Sequence, residues 1–139
     1  VLTSEAGDWR VLDGDEVELA LETQLHSFYQ LAINPAGALV DIDRHLGRLN
    51  HAWSSMAQVA AHRGEDFWSL EARIPVTGAE TIGDPLHEVA GSRPRPDAPW
   101  HLNVGRQRLR GDQREWTVWS PPETPITGFH DVMRFGRLD

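Results

Sequence analysis

The chain has 139 residues, no cysteine and a net charge of -8 at pH 7. This length suffices for a single domain over residues 1–139 with a core of its own and is too short for two. The absence of cysteine excludes a disulfide scaffold, a thiolate nucleophile and a cysteine-based zinc site. The acidic charge argues against nucleic acid as a partner, because phosphate binding needs clustered basic residues. No apolar run in the sequence approaches the roughly 20 residues of a membrane span.

Alternating apolar and polar residues predict three strands near the start of the chain, over residues 16–21, 27–34 and 38–43. Pro35 and Gly37 occupy the second and fourth positions of a type I turn between the last two of these strands. Apolar side chains face one side of the first two strands, while Glu18 and Gln30 face the other. This polar row is suited to hydrogen bonding with a polar ligand.

The middle of the chain is less regular. Residues 44–56 have apolar positions spaced three and four apart, but glycine and asparagine between them lower the helix propensity, so a short helix and a loop both remain open. Residues 58–62 and 67–74 predict a hairpin that turns around Gly64. Residues 76–99 are rich in glycine and proline and predict either an elaborated surface loop or a partly mobile segment.

The last part of the chain predicts three more strands, over residues 100–108, 115–120 and 135–138. In the first of them, Asn103 faces away from the apolar row. The arginine-rich stretch at residues 106–114 is interpreted as a solvated hairpin, with an anion site as the alternative. A series of short strands without a convincing helix predicts an all-β, antiparallel β-sandwich.

The tryptophans divide into two groups. Trp53, Trp68 and Trp100 each join an apolar row or spacing and are expected in the core. Trp116 and Trp119 lie three residues apart and therefore face opposite ways in a strand, so we expect one to be buried and the other exposed.

Five sequence signals follow one another along the chain: residues 15–18, residues 29–37 with Asp41, residues 67–75, residues 100–106, and residues 119–121 with 129–130 and 135–138. This order resembles the family 9 carbohydrate-binding modules, within the broader group of DOMON-like β-sandwiches, and covers essentially the whole chain. The resemblance implies an antiparallel β-sandwich of immunoglobulin-like or jelly-roll-like form. Because the family has several strands before the first signal, it also implies that the usual N-terminal strands are lacking and that the chain is a segment of a longer polypeptide.

The resemblance further implies a non-catalytic module that recognises a polysaccharide or oligosaccharide through a polar sheet face and a tryptophan. Its ligand-binding residues would be Glu18, Gln30, Asn103, Arg106 and Trp119. Leu12 stands where a second stacking tryptophan is expected. The alternative is therefore an interaction or structural β-sandwich module that has lost sugar binding.

Three further expectations concern chemistry and context. Asp15, Asp41 and Asp43 supply oxygen atoms for a structural calcium ion, with simply solvated turns as the alternative. No carboxylate pair or Gly-x-Ser-x-Gly turn points to an enzyme. The resemblance implies a periplasmic or extracellular protein with carbohydrate as its partner. Sheet edges left open by the missing strands would be covered by an oligomer or by other domains of the parent protein.

Overall fold

The computed structural model describes residues 3–78, 86–123 and 130–139, and within them the chain is all β, without an α-helix. Nor does this part of the chain contain a helix long and apolar enough to cross a membrane. The strands are β1 (Glu16–Thr23), β2 (His26–Ile33), β3 (Leu39–Asp43), β4 (Gln58–Arg63), β5 (Trp68–Arg73), β6 (Val76–Thr77), β7 (Val89–Ala90), β8 (Trp100–Arg110), β9 (Gln113–Val118) and β10 (Gly136–Leu138). Short 3-10 turns cover Trp9–Asp13, His45–Gly47 and Val132–Arg134.

Six strands form the main sheet, in the order β10, β8, β1, β2 and β3, with β9 also paired to β8. Every pair in this sheet is antiparallel. Strand β8 is long enough to serve two partners on the edge opposite β1, since β10 pairs with its start and β9 with its end. In this register Ala20 of β1 lies between Gln30 of β2 and Asn103 of β8.

The two faces of the main sheet differ in what they carry. The face with Glu18, Gln30 and Asn103 is called the polar face, and the face with Leu21 and Leu31 is called the core face. Successive side chains of a strand alternate between these faces.

A second layer covers part of the core face. It consists of the antiparallel β4–β5 hairpin and the short parallel pair β6–β7. Trp53 and Val89 from this side pack against Leu21, Tyr29 and Leu31 of the sheet. The result is a sandwich-like arrangement of mostly antiparallel strands, which confirms the predicted fold class.

The predicted strand positions are confirmed in outline because local chemistry determines them. Gly37 has φ 79° and donates its N–H to the Asn34 carbonyl at 2.9 Å, which closes the predicted turn. Gly64 donates to the Phe67 carbonyl at 2.9 Å and closes the β4–β5 hairpin. Residues 44–56 resolve as a loop with one 3-10 turn rather than a helix.

The predicted loop at residues 76–99 is more structured than expected. Residues 79–85 lie outside the described part, but β6 and β7 on either side of them pair in parallel. Val89 is fully buried in the main apolar cluster. Thr23 donates its hydroxyl to the Ala90 carbonyl at 2.5 Å and ties the segment to β1. Packing against the sheet thus orders a segment that has no periodicity of its own.

Burial sorts the tryptophans differently from the sequence prediction. Trp53 and Trp100 are buried as expected, whereas Trp68 is only half-buried on the β4–β5 hairpin. Trp116 and Trp119 do face opposite ways, but both are exposed, at 50% and 58%. The expectation that one of this pair is buried is wrong, because β9 is exposed along almost its whole length and Trp119 follows directly after it.

The contrast between Trp53 and Trp68 gives a stability test. Trp53 stacks on Tyr29 with ring centroids 4.5 Å apart and donates its indole N–H to the Glu88 carbonyl at 3.0 Å. Trp53→Ala should therefore lower the free energy of unfolding by about 3–5 kcal/mol, measured by urea denaturation. Trp68→Ala is the matched control and should cost clearly less, because its ring is not enclosed. Equal losses would contradict this assignment of the core.

Candidate functional site

Three of the five predicted ligand-binding residues share the polar face. Glu18, Gln30 and Asn103 are only 3%, 5% and 1% exposed. The sequence predicted their common face correctly, but it predicted an accessible row. Their burial means that each side chain must be satisfied by the protein itself.

Glu18 and Gln30 are joined in one polar network. Oε1 of Glu18 lies 2.6 Å from Nε2 of His130. Arg44 donates from Nη1 to Oε1 of Gln30 at 2.6 Å, and the same nitrogen lies 3.5 Å from Nδ1 of His130. Arg44 and His130 were not predicted to take part, because they reach this face from outside the regular strands.

The amides of Asn103 and Gln107 have structural partners on the polar face. Asn103 donates to the Ser120 carbonyl at 2.8 Å and accepts from the Ser120 N–H at 2.9 Å, which holds the chain after β9. Gln107 donates to the carbonyls of Leu12 and Gly14 at 3.0 and 2.6 Å. Leu12 itself packs against a buried apolar cluster instead of presenting an aromatic wall. The amides therefore satisfy backbone groups that a neighbouring strand would otherwise bind.

Glu16 is the exception within this satisfied face. It is 1% exposed, and its Oε2 has no hydrogen-bond partner in the described ranges. Burial, and to a smaller extent the neighbouring Glu18, raise the pKa of Glu16 from its ordinary 4.5 to about 8. The Glu-x-Glu spacing of β1 puts both carboxyl groups on one face, which is the sequence signal that could have found this pair.

Glu16 makes the stability of the domain depend on pH. Its pKa is higher in the folded chain, so the unfolded chain loses this proton near pH 4.5 while the folded chain keeps it until about pH 8. The contribution of Glu16 to stability therefore falls as pH rises from 4.5 to about 8 and is constant above that. Glu16→Gln should remove this loss and be more stable than the natural chain at pH 8.

Urea unfolding between pH 4 and pH 9 measures the effect. The advantage of Glu16→Gln should grow with pH and shrink toward pH 4. Glu71→Gln, at an exposed position of β5, is the control for the loss of a carboxylate. A constant difference across the pH range would show that Glu16 is ionised in the folded chain.

The other two predicted ligand-binding residues lie on the opposite face of the sheet. Arg106 pairs with Val17 in β1 and so points to the core face. Trp119 donates its backbone N–H to the Val104 carbonyl at 2.8 Å, and its ring lies over Gly136. Gly136 pairs with Leu102, whose side chain also faces the core side. The sheet thus separates the five residues into two groups, and they do not form one site.

The position of the Trp119 ring can be tested at Gly136. A methyl group at Gly136 would overlap the ring, so Gly136→Ala should displace Trp119 and lower the melting temperature. In a Trp119→Ala background the same glycine change should cost little, because the space is then free. Thermal unfolding of the two single variants and the double variant forms the cycle. Additive losses would place the Trp119 ring elsewhere.

The three aspartates considered for calcium are separately engaged. Asp15 accepts from the Leu109 N–H at 2.6 Å, Asp41 from the Ser55 N–H at 2.6 Å, and Asp43 lies 2.5 Å from Nε2 of His26. No group of three or more histidine or acidic residues suited to a metal ion occurs in the described part of the chain. The described geometry therefore does not gather these three carboxylates into one site.

A concave region lies between the tip of the β4–β5 hairpin and the end of β8. Its volume is about 870 Å³. We call it the arginine cleft, after the residues that define its chemistry: Arg63, Phe67, Trp68, Arg106, Arg108, Arg110 and Asp15. The residues of the β4–β5 hairpin belong to the second layer and the remaining residues to the main sheet. The cleft therefore exists only in the folded sandwich.

The aromatic wall of the cleft belongs to the hairpin. The Phe67 ring is held over Gly64, where a larger residue would overlap it, and its side chain is 58% exposed. Trp68 pairs directly with Arg63 across the hairpin. The cleft therefore combines exposed ring surface with charged hydrogen-bonding groups.

Comparisons of the chain with models of protein families, with curated proteins and with solved structures find no match. The family resemblance seen in the order of sequence signals accordingly stays a prediction.

Proposed function

We propose that this domain is a non-catalytic carbohydrate-binding module whose ligand lies in the arginine cleft. The observation that carries this proposal is the arrangement of Phe67 and Trp68 opposite the charged side chains of β8, in an open cleft. The polar face is a poorer candidate, since Glu18 and Gln30 are buried and already bound to His130 and Arg44.

The cleft has the two features that sugar recognition requires. A sugar ring has an apolar face that stacks on aromatic side chains, and a rim of hydroxyl groups that both donate and accept. Arginine supplies donors in a planar fork, and aspartate supplies acceptors. A volume of about 870 Å³ lies in the range typical of ligand sites in proteins.

Trp119 extends the same surface beyond the cleft. Its backbone bonds to Val104, which lies two residues from Arg106 on the same face of β8. Arg106 and Trp119, both named from the family resemblance, therefore support binding on the core face. The exposed ring of Trp119 is available to a longer oligosaccharide.

A binding role fits the carboxylates better than a catalytic one. Glycoside hydrolysis needs two carboxyl groups that flank one bond. Glu16 and Glu18 lie on the polar face, and Asp15 on the cleft side accepts from the Leu109 N–H. A non-catalytic module of this kind fits within a larger periplasmic or extracellular protein that acts on polysaccharide.

The alternative is a structural or interaction module that retains the sandwich and has lost sugar binding. It is favoured by Leu12, which packs into an apolar cluster, and by the occupied hydrogen bonds of Glu18. Both observations concern the polar face. A ligand test directed at the cleft separates the two functions.

The test is calorimetric titration with cello-, xylo- and uronic-acid oligosaccharides. Phe67→Ala and Trp68→Ala should each weaken binding about threefold to tenfold, because stacking on an aromatic ring contributes about 0.5–1.5 kcal/mol. Trp116→Ala is the matched control, since this exposed tryptophan lies on the polar face. A flat response to every sugar from folded protein would support the alternative function.

A further inference from the structure

We infer that the ligand of the arginine cleft is an acidic carbohydrate, whose sugar units carry carboxylate groups as well as hydroxyls. This inference rests on the binding function proposed above and names the class of ligand. It comes from the charge of the cleft, which contrasts with that of the chain as a whole.

The arginines of β8 form a row on one face. Arg106, Arg108 and Arg110 occupy alternate positions, and Arg106 pairs with Val17 on the core face. Alternate residues of a strand are about 6.6–6.8 Å apart. Arg63 enters the same cleft from the end of β4. Four cationic groups thus converge from two layers of the sandwich.

Three carboxylates, those of Asp15, Glu65 and Asp66, line the cleft with the four arginines, but few close ion pairs engage these arginines in the described structure. Arg108 lies 3.8 Å from a carboxylate oxygen of Glu115. Arg63, Arg106 and Arg110 have no ion pair within the part of the chain that the structure describes. Like charges on one face destabilise each other, and a bound anion would relieve that repulsion.

The concentration of positive charge is local. The chain has a net charge of -8, yet four of its 13 basic residues line this one cleft against three acidic residues, which leaves the cleft with a small positive excess. An acidic surface around a cationic cleft repels anions elsewhere and directs them to the cleft. The guanidinium fork matches a carboxylate in a bidentate geometry, which lysine would not provide.

The cleft favours a sugar acid over a phosphate polymer because it also contains acidic groups. Asp15, Glu65 and Asp66 line it together with the arginines. These carboxylates accept hydrogen bonds from hydroxyl groups, of which each unit of an oligouronate has several and a phosphodiester chain has few. A uronic-acid oligosaccharide presents carboxylates to the arginines and hydroxyls to these acids.

The hairpin prediction for residues 106–114 is confirmed, with Gly111 at φ 59° in its turn. Arg106 and Arg110 are exposed, as interpreted from sequence, and they also line the arginine cleft. One face of the hairpin is turned toward Phe67 and Trp68 by the second layer. The anion site that the sequence left as an alternative would therefore lie in the arginine cleft.

The experiment compares ligands that differ only in charge. Oligogalacturonate and oligomannuronate are titrated against their methyl esters, which keep the sugar rings and remove the carboxylate charge. At least one acid form should bind tenfold or more tightly than its ester, with affinity that falls as salt rises. Arg106→Gln and Arg110→Gln should each weaken binding of the acid at least threefold more than binding of the ester, because the ester loses only the hydrogen bonds and the acid loses the charge pairing as well. Arg48→Gln, at an exposed position outside the cleft, is the matched control.

The outcomes separate this inference from the proposed function. If neutral cello- or xylo-oligosaccharides or the esters bind as tightly as the acids, the cleft binds sugar but the acidic class is wrong. If no sugar binds to folded protein, the proposed function and this inference both fail. Tighter binding of a single-stranded oligonucleotide than of either uronate, abolished by Arg106→Gln, would overturn the inference in favour of a phosphate ligand.

Discussion

The alternation of side chains along β8 is the constraint on which the two surfaces of this domain depend. Asn103, Gly105 and Gln107 point to the polar face, while Arg106 and Arg108 point to the core face. Pairing with β1 on one edge and with β9 and β10 on the other leaves the strand no freedom to slip by one residue. The pleat therefore assigns amides to the closed face and arginines to the open cleft.

The buried polar groups of the polar face require hydrogen-bond partners within the protein. The amides of Asn103 and Gln107 bind backbone groups of segments that cross the sheet, and Arg44 and His130 supply partners for Gln30 and Glu18. A buried polar group without a partner costs free energy, so this network must be almost complete. Glu16 is the buried group that the network leaves unsatisfied in the described structure, and its raised pKa lets it remain uncharged.

The arginine cleft depends on incomplete packing between the two layers, in contrast to the buried polar face. Near Trp53 and Val89 the second layer packs tightly on the core face, but the β4–β5 hairpin extends beyond this packed region. A methyl group added at Gly37 would lie 3.6 Å from Cβ of Ala61, which places the hairpin beside the turn after β2. Arginine is well suited to the space that remains, because its long apolar stem packs while its charged end stays in water. An acidic chain can thus present a cationic cleft.

The local structure could be predicted from the sequence alone. Period-two alternation predicted the strands of the main sheet and the β4–β5 hairpin, and glycine chemistry predicted the turns at Gly37 and Gly64, because these depend on neighbours a few residues apart.

Only the tertiary structure decided which polar row is accessible. Alternation shows that Glu18 and Gln30 share a face, but their burial depends on Arg44 and His130, which lie far away along the chain. The tertiary structure also places Arg106 and Trp119 on the opposite face from Glu18, because pairing between distant segments sets the register between strands. The cleft itself needs residues 63–70 and β8 to meet across two layers, and this long-range packing has no local signature in the sequence.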